Sequence, residues 1–176
     1  ATPTAVTVGI GRAAEYGILI KNGDTLETSG DVNVAAFDKT GTITEGKPQV
    51  DDIISYDFDE DKLVQYVASV ENNSQHPIAK AIVNKANDLN IELISTEDFE
   101  NITGKGIKSV VDDKQVLVGN LSLLNDEKIK INQDVLRIYE KLVDENKTVI
   151  FLVVDEGIVG ILTLVDKIKD NSKKTI

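Results

Sequence analysis

The largely apolar run Val32–Phe37 stops at the polar string Asp38-Lys39-Thr40-Gly41-Thr42. A buried strand that feeds a glycine-containing polar loop is how open α/β sheets present their chemistry, at the carboxyl ends of strands. This junction predicts an α/β fold built around that strand, with Asp38 at its end.

Thr2–Tyr16 is rich in small residues and predicts a closely packed helix, stopped by Gly17. Ile18-Leu19-Ile20 reads as a short strand and Asn22-Gly23 as a turn. Beyond Pro48 lies an acidic stretch, Asp51, Asp52, Asp57, Asp59, Glu60 and Asp61, which reads as a solvated loop and helix start. Leu63, Val67 and Val70 recur at helical spacing, and so do Ile78, Ile82, Ala86 and Leu89. Pro77 suits a first turn, which sets His76 at that helix's N-terminal end.

Ile107–Val111 and Val116–Gly119 flank a hairpin turn, and a second hairpin is expected around Asp155-Glu156-Gly157. Between them an amphipathic helix is expected from about residue 132 to 146, with Val135, Tyr139, Leu142 and Val143 on one side. The chain thus divides into 1–30, 31–49, 50–158 and 159–176. The third is an α+β insert with antiparallel pairing, and the second and fourth belong to one α/β unit. The insert is expected to fold by itself and the flanks to be poorly ordered without a partner.

Composition removes several classes of function. Thirty acidic against nineteen basic residues give a net charge of −11, which opposes nucleic-acid binding. With no cysteine and one histidine, disulfides and zinc sites built from Cys and His are excluded. No stretch approaches the roughly 18–20 consecutive apolar residues that cross a bilayer, and the opening residues carry no secretory signal pattern. A phosphate ligand remains compatible, provided it arrives with Mg²⁺ and meets a few placed lysines.

At the junction itself, a free aspartate is ionised at neutral pH and needs no base to become a nucleophile. Attack on a phosphoryl group requires that the repulsion between two anions be masked, which Mg²⁺ and Lys39 can do. Gly41 permits a tight turn, so that amides and the hydroxyls of Thr40 and Thr42 face phosphate oxygens. A lone aspartate after a strand is also an ordinary N-cap.

The full string Asp38-Lys39-Thr40-Gly41-Thr42-Ile43-Thr44 resembles the phosphorylation motif of P-type ATPases. Phosphatases of the haloacid dehalogenase-like superfamily carry a general acid-base carboxylate two places after the nucleophile. Threonine stands there in this chain, which implies a longer-lived phosphoenzyme. Glu71 with Ser74-Gln75-His76-Pro77, then Gly104-Lys105-Gly106-Ile107 and Val118-Gly119-Asn120, resembles the nucleotide-domain signature of the heavy-metal branch, with Gln75 where an acid is usual. Ala1-Thr2-Pro3-Thr4-Ala5 is most similar to copper(I) exporters. Asp166-Lys167-Ile168-Lys169-Asp170 resembles the segment returning to the phosphorylation domain, with Lys169 where Arg is more frequent; a nucleotide role, a hinge role and a plain helix start all stay open.

The resemblance implies a partial haloacid dehalogenase-like phosphorylation domain carrying an inserted α+β nucleotide-binding domain, an antiparallel sheet flanked by helices. It implies catalysis by Asp38, Lys39 and Thr40, nucleotide binding by Glu71, His76, Gly104, Gly106 and Asn120, and Mg²⁺ held by Asp38 and the backbone carbonyl of Thr40. At the adenine end, Glu71 would accept a hydrogen bond from the exocyclic amine or orient a neutral His76. Glycines 104 and 106 would let the backbone approach a base or sugar closely.

ATP is the implied substrate. The implied partners are the rest of the same transporter: transmembrane helices, actuator domain and the remaining phosphorylation domain. The chain is accordingly expected to be a cytoplasmic region of a membrane protein, with residues 1–30 extending a transmembrane helix. Beyond the Asp38 motif, the Thr/Ser-Gly-Asp and Gly-Asp-Gly-x-Asn-Asp motifs with which the family continues do not occur up to Ile176, so this polypeptide is expected to bind nucleotide without turnover. A nucleotide-binding module without catalysis and a zinc or cadmium transporter are the alternatives, and Thr40 disfavours a phosphatase.

Overall fold

A computed structural model describes residues 3–175. Ala1 and Thr2 of the opening string, and Ile176, lie outside the described residues. The chain divides into two compact units, Ala1–Asp38 and Lys39–Ile176.

The first unit is helical. Helix α1 (Pro3–Glu15) ends where Gly17 adopts a φ of +76°, and the amide of Ile18 bonds back to Ala13. The close packing expected of its small residues is against α2 (Gly23–Ser29), with Gly9 facing Leu26. Asn22-Gly23 is not a turn. Asn22 caps α2, its side chain accepting from the Thr25 amide at 2.9 Å.

Ile18–Ile20 and Val32–Phe37, both expected as strands, are unpaired, and Leu19, Val34 and Phe37 are exposed. Apolar, β-branched composition gives a segment the capacity for a strand. A ladder requires a neighbour, and no described strand pairs with either run.

The second unit is a six-stranded antiparallel sheet in the order β1-β6-β5-β4-β3-β2. Its strands are β1 (Thr44–Ser55), β2 (Glu97–Ile102), β3 (Gly106–Val111), β4 (Lys114–Gly119), β5 (Thr148–Val154) and β6 (Gly157–Ile168). Both expected hairpins form on two-residue turns, Asp112-Asp113 and Asp155-Glu156. All four of those residues have positive φ, the type I′ geometry that matches strand twist. The expected divisions at 49/50 and 158/159 lie inside β1 and β6. Far from being loosely held, Ile161, Leu162 and Leu164 of β6 are fully buried between β1 and β5.

Strand alternation builds two cores. Ile150, Leu152 and Val154 face α3 (Glu60–Glu71) and α4 (Pro77–Asp88), whereas Val149, Phe151 and Val153 face α5 (Leu121–Asp126) and α6 (Gln133–Asp144). Helix α3 is the central helix: everything from Val64 to Glu71 except Gln65 is buried. On α6, Val135 and Leu142 pack inward with Tyr139, but Val143 is exposed, so the apolar stripe is narrower than expected. Lys147, just before β5, ties the sheet edge together through Asp51 at 2.7 Å, Asp52 at 2.5 Å and Glu145 at 3.3 Å. A short helix, α7 (Ser172–Thr175), comes after β6.

Candidate functional site

The loop of the phosphorylation-like motif is a turn. Thr40 (φ −73°, ψ 123°) and Gly41 (φ 76°, ψ −16°) are the central residues of a type II β-turn, whose second position calls for glycine. The turn is clamped by chain more than a hundred residues away. The Thr44 hydroxyl, buried, donates to Asp166 Oδ2 at 2.5 Å and accepts from the Gly41 amide at 3.1 Å. Asp166 Oδ1 accepts from the Lys47 amide at 3.1 Å. Lys169 Nζ donates to the Gly41 carbonyl at 2.8 Å, and the Ser172 hydroxyl to the Ile43 carbonyl at 2.8 Å. Lys39 and Thr40 are exposed on this turn, and Asp38 is exposed as the last residue of the first unit.

A cleft of about 420 Å³ lies in the second unit. Glu71, His76, Gly104, Gly106 and Asn120, spread over fifty positions of sequence, all line it. Each is held by local chemistry. Glu71 ends α3 and His76 begins α4, where its Nδ1 accepts from the Ile78 amide at 3.2 Å as the N-cap. That acceptor role places the proton of a neutral ring on Nε2.

Gly104 has a φ of +74° and nothing within 4 Å of where a Cβ would stand, so its face is open. Gly106 differs. A Cβ there would meet the Val118 carbonyl at 2.2 Å and the Gly119 Cα at 2.5 Å. Its missing side chain makes room for the neighbouring strand. Asn120 is engaged within the fold: its Nδ2 donates to the Gly104 carbonyl at 2.9 Å and its Oδ1 accepts from the Leu123 amide at 3.2 Å as the cap of α5. Asn120 therefore fastens the 104–106 turn to the end of β4.

Glu71 is 7% exposed, and its carboxyl makes no hydrogen bond or ion pair among the described residues. Burial pushes its pKa up to about 7, because removing water penalises the charged form. Lys105, between the two glycines, pairs with Asp126.

The lining also includes Asn101, Thr103 and Thr148, which sequence reasoning does not single out. They arrive through strand register, and nothing local in the sequence marks them. Ser172 of the clamp is likewise unmarked. Asp166 and Lys169, whose string leaves several roles open, hold the Thr40-Gly41 turn. No group of three or more His, Cys, Asp and Glu side chains suited to a metal ion occurs among the described residues. Nor is any described helix long and apolar enough to cross a membrane.

Comparison with known proteins points the same way. A family model for haloacid dehalogenase-like hydrolases matches residues 32–176. A copper-exporting P-type ATPase of Staphylococcus saprophyticus is 42% identical over all of this chain, which covers 22% of that protein. A probable copper-exporting P-type ATPase of Archaeoglobus fulgidus is 43% identical over all of this chain, covering 21% of its own length. The chain thus spans about a fifth of the curated relatives it matches.

Among solved structures, a zinc-transporting PIB-type ATPase in an E2.Pi state aligns with 99% of this chain and 28% of its own, at 33% identity and a TM-score of 0.74. The N-domain of a copper-transporting P-type ATPase aligns with 65% of this chain and 97% of its own, at 31% identity and a TM-score of 0.56.

Proposed function

The chain belongs to the haloacid dehalogenase-like hydrolase family, and from that premise we propose that it is the ATP-binding and phosphoryl-accepting region of a copper-exporting P-type ATPase. The observation that carries the proposal is the convergence of Glu71, His76, Gly104, Gly106 and Asn120 on one cleft. Gly104, Gly106 and Asn120 meet through the β3–β4 pairing and the Asn120–Gly104 hydrogen bond, and Glu71 and His76 join them from the end of α3 and the start of α4.

In this reading the adenine and ribose occupy the cleft. Gly104 offers an open backbone face to a planar group, with Asn120 holding that turn in place. His76 offers Nε2–H or the face of its ring. Asp38 is the nucleophile for the terminal phosphoryl group, and Lys39 offsets the charge that builds on the transferring oxygens. Thr40 supplies no carboxylate to hasten hydrolysis of the acyl phosphate, so phosphorylation lasts long enough to drive movement of the transporter.

An exposed carboxylate and a backbone carbonyl are hard oxygen donors of the kind Mg²⁺ accepts, with water and phosphate completing its shell. Asp38 and the Thr40 carbonyl would hold it, and its chemistry is to neutralise phosphate charge. Residues 1–30 then extend a transmembrane helix on the cytoplasmic side, the chain flanking the sheet (31–43 and 169–176) belongs to the phosphorylation domain, and the unit from β1 to β6 binds the nucleotide. The assignment to copper draws on the names of the curated relatives and on the opening Ala-Thr-Pro-Thr-Ala string.

Titration of the isotopically labelled chain with ATP tests the nucleotide site. The amide resonances of Gly104, Gly106 and Asn120 are expected to move, and their failure to move at millimolar ATP would sink the reading. In the whole transporter, Asp38→Asn is expected to abolish the hydroxylamine-sensitive phosphoenzyme. Stimulation of ATP hydrolysis by zinc in place of copper(I) would reassign the metal.

A further inference from the structure

Beside the cleft of Glu71 and His76 lies a second, of about 590 Å³, between one face of α4 and the start of β1. The two meet at the start of α4, where His76 lines the first and Pro77 the second. They also share a face and an end of the sheet. Ile78 and Ile150 of the first cleft, and Ala81 and Val50 of the second, all pack on the α3–α4 core. Thr148 of the first and Val50 of the second both stand opposite Leu164 of β6, two strand spacings or about 10 Å apart. At its β1 end the second cleft reaches the phosphorylation-like motif, since a Cβ on Gly46 would stand 3.4 Å from the Gly41 Cα. A molecule seated in the first cleft can thus extend along the second toward the Thr40-Gly41 turn.

Charge sets the second cleft apart. In a chain of net charge −11, Lys47 lines it from β1 and Lys80 from α4, and neither ammonium makes a hydrogen bond or ion pair among the described residues. Lys47 is fixed through its backbone, whose amide donates to Asp166 Oδ1 at 3.1 Å, so its side chain is left for a ligand. In the first cleft, by contrast, Lys105 is already paired with Asp126. The acid in the lining of the second, Asp88, sits at the C-terminal end of α4, roughly 16 Å along the helix from Pro77. Lys85 lines this cleft too, but it also borders the cavity of Asp51, Asp52 and Glu60, which compete for its charge. The positive end of the α4 dipole lies between the two clefts and favours an anion that crosses from one to the other.

Resting on the proposed adenine site, we infer that the polyphosphate of the nucleotide passes the start of α4 into the second cleft, where Lys80 and Lys47 bind it and lead its terminal phosphate toward the Thr40-Gly41 turn. Lys80, a turn beyond His76, holds the inner phosphates, and Lys47, next to Gly46, the outer ones. An ammonium serves this purpose as a mobile point charge, which suits a chain of phosphates that must move during transfer.

Calorimetric titration of the whole chain with adenosine, AMP, ADP and ATP, metal-free and in about 0.15 M salt so that distant charges are screened, tests this. Affinity is expected to rise with each added phosphate. Lys80→Gln is expected to weaken ADP and ATP, and Lys47→Gln chiefly ATP, by about threefold to tenfold each, as for loss of a charge-assisted hydrogen bond near the surface. Adenosine is expected to bind both variants as it binds wild type. Lys114→Gln removes the same charge at the opposite end of β4 from Gly119 and is expected to leave all four affinities unchanged. A double variant, Lys47→Gln with Lys80→Gln, that prefers ATP over adenosine as strongly as wild type overturns the inference, and so does an equal loss in Lys114→Gln. In either case the amides of Gly104, Gly106 and Asn120 still shift with adenosine, and the base site stands. If those amides stay still and no nucleotide binds, the nucleotide-site reading itself falls, and this inference with it.

Discussion

At the scale of single residues, burial and backbone geometry divide the cleft into groups held for the fold and groups left for a ligand. Gly106→Ala puts a methyl group into the Val118 carbonyl and the Gly119 backbone, and neither is a flexible tip that can move aside. Chemical denaturation is expected to show a loss of more than about 3 kcal/mol, as for overpacking combined with strain. Gly104→Ala meets open space and bears only the left-handed backbone cost of about 1–2 kcal/mol. Glu71 carries a pH signature. Its folded pKa of about 7 stands above the ordinary value of 4.5, so between those values the folded state holds a proton that the unfolded chain releases. Stability from this group is complete below about pH 4.5, falls as pH rises through 7 and is then level, a total on the order of 3 kcal/mol. Glu71→Gln is expected to remove that decline, and to be more stable than wild type at pH 8 in thermal melts. At the other site, Thr44→Val leaves the Gly41 amide and one Asp166 oxygen without their partner, a loss of about 1–3 kcal/mol.

Elements are legible where their signals are local. Pro77 after His76 and the four-residue spacing of Ile78, Ile82 and Ala86 are short-range facts, and α4 begins and packs as they imply, except that Leu89, expected on the same stripe, is its exposed C-cap. The two hairpins are equally visible, because apolar runs separated by acidic turn residues leave few other arrangements. Asp112-Asp113 is nonetheless a costly way to make a type I′ turn, since each residue takes a positive φ. Asp113→Gly is expected to stabilise the protein by about 0.5–1 kcal/mol, read in urea unfolding. Asp112 is a poor site for the same change, because its carboxylate accepts from the buried Tyr66 hydroxyl at 2.8 Å. The unpaired strands share one cause. Ile18–Ile20 and Val32–Phe37 have strand composition, but pairing is a property of two segments, and composition reports on one. Asn22-Gly23 misleads for a different reason. Asn serves turns and N-caps through the same side-chain acceptor, and the two differ only in whether the next residues continue as a helix. The cleft residues Asn101, Thr103 and Thr148 are beyond the reach of local pattern, since register carries them to the site, and Ser172 reaches its partner, the Ile43 carbonyl, across more than a hundred positions.

For the whole molecule, the division at Asp38/Lys39 separates the proposed nucleophile from everything proposed to hold the nucleotide. The sheet, both cores, the cleft and the clamp on the Thr40-Gly41 turn all belong to Lys39–Ile176. Helices α1 and α2 contribute no residue to either core. A polypeptide of residues 39–176 is therefore expected to melt within about 2 °C of the full chain, since a change in Tm of several degrees requires about 1 kcal/mol at this size. It should bind ATP with the same affinity in calorimetry. By contrast, cutting at residue 159 removes most of β6, the strand that pairs with both β1 and β5 and brings Ile161, Leu162 and Leu164 to the interior. That shorter chain is expected to lose cooperative unfolding altogether. The two truncations together ask whether binding and phosphoryl acceptance are separable. If residues 39–176 bind ATP undiminished, the affinity resides in the cleft and Asp38 contributes only to the subsequent chemistry. A tenfold weaker affinity would mean instead that the first unit takes part in holding the nucleotide.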